Sequence, residues 1–238
     1  MPRFYVDLPF VVDSEINLPD EVVRHINVLR LRLSDQISLF NGDGHDYIAE
    51  FIVLERRKIS LRIISIKLVQ NESKLDIILL MSIIASDKFD LVVQKAVELG
   101  VTKLIPVYAQ NTQRFKSDKL ASRMEHWRRI IISASEQSGR AILMELLEPL
   151  EFDQAIKNNS SPVKLILSPH HAGNLVVSDV LDSATLLVGP EGGFSPAEVE
   201  LANQYGFESW QLGFRILRAE TAAVAGVTLL QAYFGDFA

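Results

Sequence analysis

No cysteine occurs among the 238 residues, which excludes disulfides and Cys-ligated zinc or iron–sulfur sites and fits a reducing compartment. Long apolar runs are also missing. The longest, Ile77 to Ala85, is interrupted by Ser82 and is far shorter than the roughly 18 residues that suggest a membrane span. No membrane partner is expected. The opening Met1-Pro2-Arg3-Phe4-Tyr5-Val6-Asp7 lacks the basic-then-apolar pattern of a signal peptide, so a cytoplasmic location is the expectation. Walker, G-x-G-x-x-G and G-x-S-x-G sequences are all absent, which leaves ordinary nucleotide sites and the nucleophile elbow without support. Only His170 and His171 are adjacent among five histidines. On a strand they would point to opposite faces, so no metal site is expected.

What is present describes a folded chain: 48% hydrophobic and 23% charged residues, enough for one large or two modest domains. The net charge of −6 argues against indiscriminate coating of nucleic acid but leaves room for a specific RNA partner. Cations are uneven, with Arg114, Lys116, Lys119, Arg123, Arg128 and Arg129 crowding one stretch. A solvated helix face explains that stretch as well as a phosphate-binding one does.

Residues 1–70 read as β-rich. Gln36 to Phe40 predicts a strand, Asn41-Gly42-Asp43-Gly44 a hairpin turn, and Tyr47, Ala49, Phe51 and Val53 the alternating returning strand. The apolar set Ile59, Leu61, Ile63 then shifts phase to Ile64, Ile66, Leu68, which predicts a β-bulge in a small curved barrel. Pro19 opens a helix with Val22, Ile26 and Leu29 on one face. From residue 75 to 238 the pattern becomes alternating strands and helices. That implies an α/β unit with a mostly parallel sheet and helices on both faces.

Two late segments stand out in this unit. Gly189-Pro190-Glu191-Gly192-Gly193 follows Thr185-Leu186-Leu187-Val188, and Leu212-Gly213-Phe214-Arg215-Ile216-Leu217-Arg218-Ala219-Glu220-Thr221-Ala222 follows Ser209-Trp210-Gln211. Glycine-bearing strand ends in one sheet can line a crevice at its carboxyl edge, where such sheets bind ligands. The first segment alone is equally a tight turn. The charges in the second need a reason, and a salt bridge from Arg218 to Glu220 or Glu191 is one.

Taken with Phe194 and Glu198, these segments resemble the signature of the RsmE family of SPOUT-class methyltransferases. The likeness extends to His25, Val28-Leu29-Arg30, Asp35, Phe40-Asn41-Gly42 and Gln94 to Val101. It continues through Gln113-Arg114, Trp127, Glu136-Gln137-Ser138-Gly139-Arg140 and Phe234-Gly235-Asp236. Ser34 stands where a glycine is usual and Met144 where a proline is usual.

The resemblance implies a C-terminal SPOUT trefoil-knot domain and an N-terminal PUA-like or OB-like β-barrel that helps hold RNA. It implies S-adenosylmethionine as cofactor, cradled by Leu167 and Ser168, by Gly189, Pro190, Glu191 and Gly192, and by Leu212, Gly213, Ile216, Leu217 and Arg218. The implied reaction is methylation of N3 of a uridine in 16S rRNA, within an assembled small ribosomal subunit, by a homodimer. Chemistry makes Arg218 and Arg140 candidate cations beside the uracil oxygens and Glu220 the candidate proton acceptor, and the sequence does not choose among Arg114, Arg140 and Arg218. Arg3, Arg24, Arg30, Arg32, Arg114 and Arg123 are the candidate phosphate contacts. Two competing readings are a non-catalytic RNA-binding dimer and a SPOUT enzyme acting on a ribose 2′-oxygen or on tRNA.

Overall fold

The computed structural model describes residues 1–168 and 181–237, so His170 and His171 lie outside the described residues. The chain divides into two compact units, Met1–Glu72 with Ser135–Leu143, and Ser73–Ala134 with Met144–Ala238.

The first unit contains β1 (Arg3–Tyr5), β2 (Glu15–Asn17), α1 (Asp20–Val28), β3 (Gln36–Phe40), β4 (His45–Leu54) and β5 (Ile59–Leu68). They form one sheet in the order β1-β3-β4-β5-β2. Gly42 (φ 95°) and Gly44 (φ 90°) make the β3–β4 turn, a region that side chains rarely enter. The phase slip in β5 is a real bulge: Ile48 pairs with Ser65 but Ala49 with Ile63, leaving Ile64 as the extra residue. Before it Ile59, Leu61 and Ile63 are buried; beyond it Ile66 and Leu68 face outward. Helix α1 follows Pro19, its N-cap; Ile26 is buried and Val22 packs against the core as expected, but Val23 is buried as well and Leu29 is exposed.

The segment Ser135–Leu143 belongs to this unit because backbone and side chains tie it there. Arg3 donates from Nη1 to the Ser135 carbonyl at 2.7 Å and from Nη2 to the Arg140 carbonyl at 2.9 Å. The Glu136 carboxylate accepts the Tyr5 N–H at 2.9 Å. Asn71 Nδ2 donates to the Gly139 carbonyl at 3.0 Å, so the polar stretch after β5 is anchored here.

The second unit holds β6 (Asp76–Ser82), α2 (Ser86–Glu98), β7 (Lys103–Tyr108), α3 (Ser117–Ser138, its last turn in the first unit), β8 (Glu145–Leu146) and β9 (Leu150–Glu151). It continues with α4 (Phe152–Lys157), β10 (Val163–Leu167), β11 (Ser183–Val188), α5 (Pro196–Gln204), β12 (Glu208–Trp210) and α6 (Ala219–Phe234). The sheet runs β12-β10-β11-β6-β7-β8, with β9 also on β7, and its pairings are parallel. On one face Phe152 and Ile156 of α4 and Val199 and Ala202 of α5 cover Leu187, Ile166 and Val107. On the other, α6 lies so close to β11 that a Cβ on Gly226 would sit 2.8 Å from Leu186 Cδ2. Leu186 and Leu187 point to opposite faces, as neighbours on a strand must, so helices cover both.

Gln231 of α6 is fully buried and satisfied at both ends. Its Nε2 donates to the Leu99 carbonyl at 2.8 Å and its Oε1 accepts the Ser73 hydroxyl at 2.7 Å. Gly100, which ends α2 at φ 76°, would place a Cβ 2.8 Å from that Nε2. Gly100→Ala therefore combines left-handed strain with a displaced hydrogen bond. The expected loss is about 2 kcal/mol in urea unfolding, and an unchanged midpoint would contradict it.

Candidate active site

Strands β12, β10 and β11 are parallel neighbours, so their carboxyl ends sit side by side. Leu167 pairs with Trp210, and Val188 ends its register against Met81 of β6. The two glycine-bearing segments and the Leu167-Ser168 strand end thus leave one edge of one sheet. The Ser168 N–H donates to the Trp210 carbonyl at 3.2 Å, joining the first and last of these ends.

The loop after β11 is clamped. Its Ser195 N–H and Oγ both bond Glu198 Oε2, and the Glu198 N–H returns to Ser195 Oγ, a reciprocal capping box on α5. Glu198 Oε1 also accepts the Gln110 N–H at 2.8 Å. Asn111 Nδ2 donates to the Gly193 carbonyl at 3.1 Å. Glu191 Oε1 accepts the Ala85 N–H at 2.9 Å, placing a carboxylate at the N-terminus of α2, where the helix dipole favours it. A Cβ on Gly189 would meet the Phe194 ring at 3.1 Å, and one on Gly192 would meet Asn111 Cβ at 3.1 Å. Packing against Phe194 of the same loop and against Asn111, which follows β7, therefore accounts for both small residues.

The loop after β12 behaves differently. Among the described residues, Leu212 to Leu217 form no hydrogen bond, although every one carries an N–H and a carbonyl. Gly213 adopts φ 78° with open space around it. Leu212 and Leu217 are half-buried, while Phe214 and Ile216 are 97% and 81% exposed. Unspent backbone donors and acceptors beside apolar side chains are what a purine base held by main-chain groups requires, so these residues fit an adenosyl group.

The chain then enters α6. Arg218 is its N-cap and Glu220 lies in its first turn. Neither anticipated bridge forms: among the described residues the Arg218 guanidinium has no ion-pair partner, and Glu220, 9% exposed, faces Lys88 of α2 at 3.8 Å. Lys88 carries no motif signal, and its place depends on the packing of α2 against α6. The Ser195-x-x-Glu198 capping signature, by contrast, was readable from spacing.

Arg140 is 4% exposed, and its Nε and Nη2 bond Glu72 at 3.1 and 2.7 Å. That guanidinium thus ties the end of α3 to the stretch after β5 within the first unit. Arg3, besides two carbonyls, holds Asp46 at 2.9 Å and lies 3.7 Å over the Phe40 ring, so most of its donors are already engaged within the first unit. Arg24, Arg30 and Arg32 are exposed, with no ion-pair partner for their guanidinium groups among the described residues. Arg30 takes φ 52°, a strained conformation for a non-glycine residue that often marks a working site. Arg123 is half-buried. Arg114 is exposed and bidentate to Glu151, with its Nη2 at 2.6 Å.

Burial pushes the Glu136 carboxyl above its ordinary value, although the Tyr5 N–H, His25 and Arg3 oppose the shift. The unfolded chain therefore ionises first, and this group's favourable contribution is lost as pH rises through its folded pKa. Glu136→Gln should raise the urea midpoint modestly near neutral pH, with the gain vanishing below about pH 4. A variant less stable at neutral pH would reverse this reading.

A family model described as an RNA methyltransferase domain matches residues 71–231, and one described as an RNA methyltransferase PUA domain matches residues 18–64. Fold and sequence thus define a PUA-bearing RNA methyltransferase of the SPOUT class. The chain belongs to the family of the ribosomal RNA small subunit methyltransferases E. Members from Buchnera aphidicola subsp. Schizaphis graminum and Rickettsia conorii are each 32% identical to it. The first match covers 99% of this chain and 98% of that protein, the second 94% and 93%. The crystal structure of the Neisseria gonorrhoeae enzyme bound to S-adenosyl methionine is 38% identical, covers 100% of both chains and superposes with a TM-score of 0.94.

Proposed function

We propose that this protein transfers a methyl group from S-adenosylmethionine to N3 of a uridine in 16S rRNA. The observation that carries the reading is the shared carboxyl edge of β10, β11 and β12 with the main chain of Leu212 to Leu217, which forms no hydrogen bond among the described residues, in a chain of this family. The cofactor supplies an electrophilic methyl on a sulfonium that departs as a neutral thioether. Leu212, Gly213, Ile216 and Leu217 offer backbone groups to hold it, and Ser168 and Pro190 border the same edge. The protein's task is alignment, an effect worth up to about 7–11 kcal/mol in favourable systems, together with removal of the N3 proton. Arg218, at the N-terminus of α6 and with no ion-pair partner among the described residues, favours the deprotonated uracil through its oxygens. Glu220 accepts the proton.

The RNA is held by Arg24, Arg30 and Arg32 of the first unit and by Arg123 and Arg114, the last after exchanging Glu151 for a phosphate. The substrate form is the assembled small subunit, the enzyme acts as a homodimer, and the location is the cytoplasm. None of the described helices is long and apolar enough to cross a membrane.

The decisive experiment incubates purified protein with small subunits and labelled cofactor, then maps the product by nucleoside mass spectrometry. 3-Methyluridine in 16S rRNA is the expected product. A ribose-methylated nucleoside, or binding without transfer, would replace this reading. Arg30→Ala should weaken rRNA binding several-fold and lower the salt slope by about 1, with cofactor affinity unchanged. Loss of both affinities would point to misfolding instead.

A further inference from the structure

We infer that the β4–β5 turn, with Arg56, Arg57 and Lys58, and the stretch Val28 to Leu33 that ends α1 form one surface of the first unit that grips the sugar–phosphate backbone of the RNA substrate. The inference rests on the reading above and adds to it three cations that no motif marked. Asn27, in the last turn of α1, joins the two stretches: its Nδ2 donates to the Arg56 carbonyl at 2.9 Å. The turn itself is tight. The Glu55 N–H donates to the Lys58 carbonyl at 2.9 Å, and the Lys58 N–H donates back to the Glu55 carbonyl at 3.3 Å. Arg56, Arg57 and Lys58 are all exposed.

Local structure gives no reason for arginine on either arm. Two-residue hairpin turns favour Asn-Gly or another glycine pair at positive φ. Here the tip is Arg56-Arg57, and neither takes a positive φ. Arg30 follows the C-cap Leu29 at φ 52°, the position where helices commonly end on glycine. Residues that break a local rule are expected where function overrides the fold. The charges agree. Arg3, Arg62 and Arg140 are paired with carboxylates, whereas Arg24, Arg30, Arg32, Arg56 and Arg57 form no ion pair among the described residues. Nearby acids leave them so. Asp35 accepts the Arg32 N–H at 2.8 Å, Asp20 and Glu21 lie in the opposite, first turn of α1, and Glu55 makes no ion pair with the turn it precedes. Guanidinium forks match phosphate oxygens, and cations spread over two loops suit an extended polyanion better than one acidic side chain. Val28 and Leu33, 76% and 58% exposed beside these arginines, offer apolar contact to a ribose or an unstacked base.

The test measures binding of the full chain to small subunits and to protein-free 16S rRNA across a salt series, with methylation kinetics, cofactor calorimetry and urea unfolding. Replacing Arg56, Arg57 and Lys58 together by Gln should weaken binding to both RNA forms about tenfold or more and lower the salt slope by about 2. KM for small subunits should rise while kcat and cofactor affinity hold. Asn27→Ala removes no charge yet should weaken binding about threefold, because it frees the turn from α1. Arg30→Gly should weaken binding while leaving the urea midpoint at or above the wild-type value, since glycine accepts the left-handed conformation. Lys67→Gln, a charge lost near the other end of β5, should bind as wild type does. Wild-type affinity of the triple variant, an equal loss in Lys67→Gln, or a lowered kcat with KM unchanged would overturn the inference. A loss confined to assembled subunits would assign the surface to a ribosomal protein and overturn it too. In all these cases wild-type methylation persists. If the wild type itself forms no 3-methyluridine in 16S rRNA, the underlying reading fails and the inference falls with it.

Discussion

Glu220→Gln should lower the methylation rate by about 10²-fold or more, with cofactor binding nearly unchanged. Uridine N3 bears a proton, and a neutral imide nitrogen has no free pair aimed at the incoming methyl. The proton must leave before or during transfer, so a group that takes it acts mainly in the transition state. Its removal lowers kcat and kcat/KM together rather than raising KM alone. Glutamine keeps the shape of Glu220 and its place in the first turn of α6 but cannot accept the proton. The side chain is 9% exposed, so bulk water is a poor substitute at that position. Turnover within about threefold of wild type, against the usual scale of general-base effects, would remove Glu220 from the chemistry while leaving the cofactor assignment intact.

Much of the architecture was legible because it depends on local pattern. The Asn41-Gly42-Asp43-Gly44 turn and the phase slip at Ile64 are short-range signals, and the structure places a hairpin and a bulge there. The alternation after residue 75 gave the parallel sheet for the same reason, since each strand and helix carries its own period. Strand β1 was missed because its three residues acquire their identity only by pairing in parallel with β3. The two-residue strands β8 and β9 exist only as partners of β7. Within the site, the sequence marked the loops but not what each does. The glycines after β11 suggested close ligand approach, whereas Phe194 and Asn111 occupy the space their side chains would need. Lys88 became visible only when α2 and α6 were seen side by side.

Arg140→Met should cost about 3 kcal/mol of stability, the lower end for breaking a buried ion pair by removing one partner, while methylation per folded molecule is retained. Within Glu136-Gln137-Ser138-Gly139-Arg140 only Arg140 is a candidate for the chemistry, and the side-chain contacts described for this motif lie in the first unit. Arg140 holds Glu72, its carbonyl receives Arg3, Glu136 receives Tyr5, and the Ala141 carbonyl receives the Gly44 N–H at 3.3 Å. Methionine fills the space of the stem but strands the Glu72 carboxylate, whose side chain is only 25% exposed. Glu72→Gln in the same chain should recover part of the loss, because the stranded charge is then gone. Amide exchange at Tyr5 and Gly44 should accelerate in Arg140→Met and slow again in the double variant, since both amides depend on this segment staying seated. Native stability combined with a rate reduced by 10² or more would instead return Arg140 to the chemistry of methyl transfer.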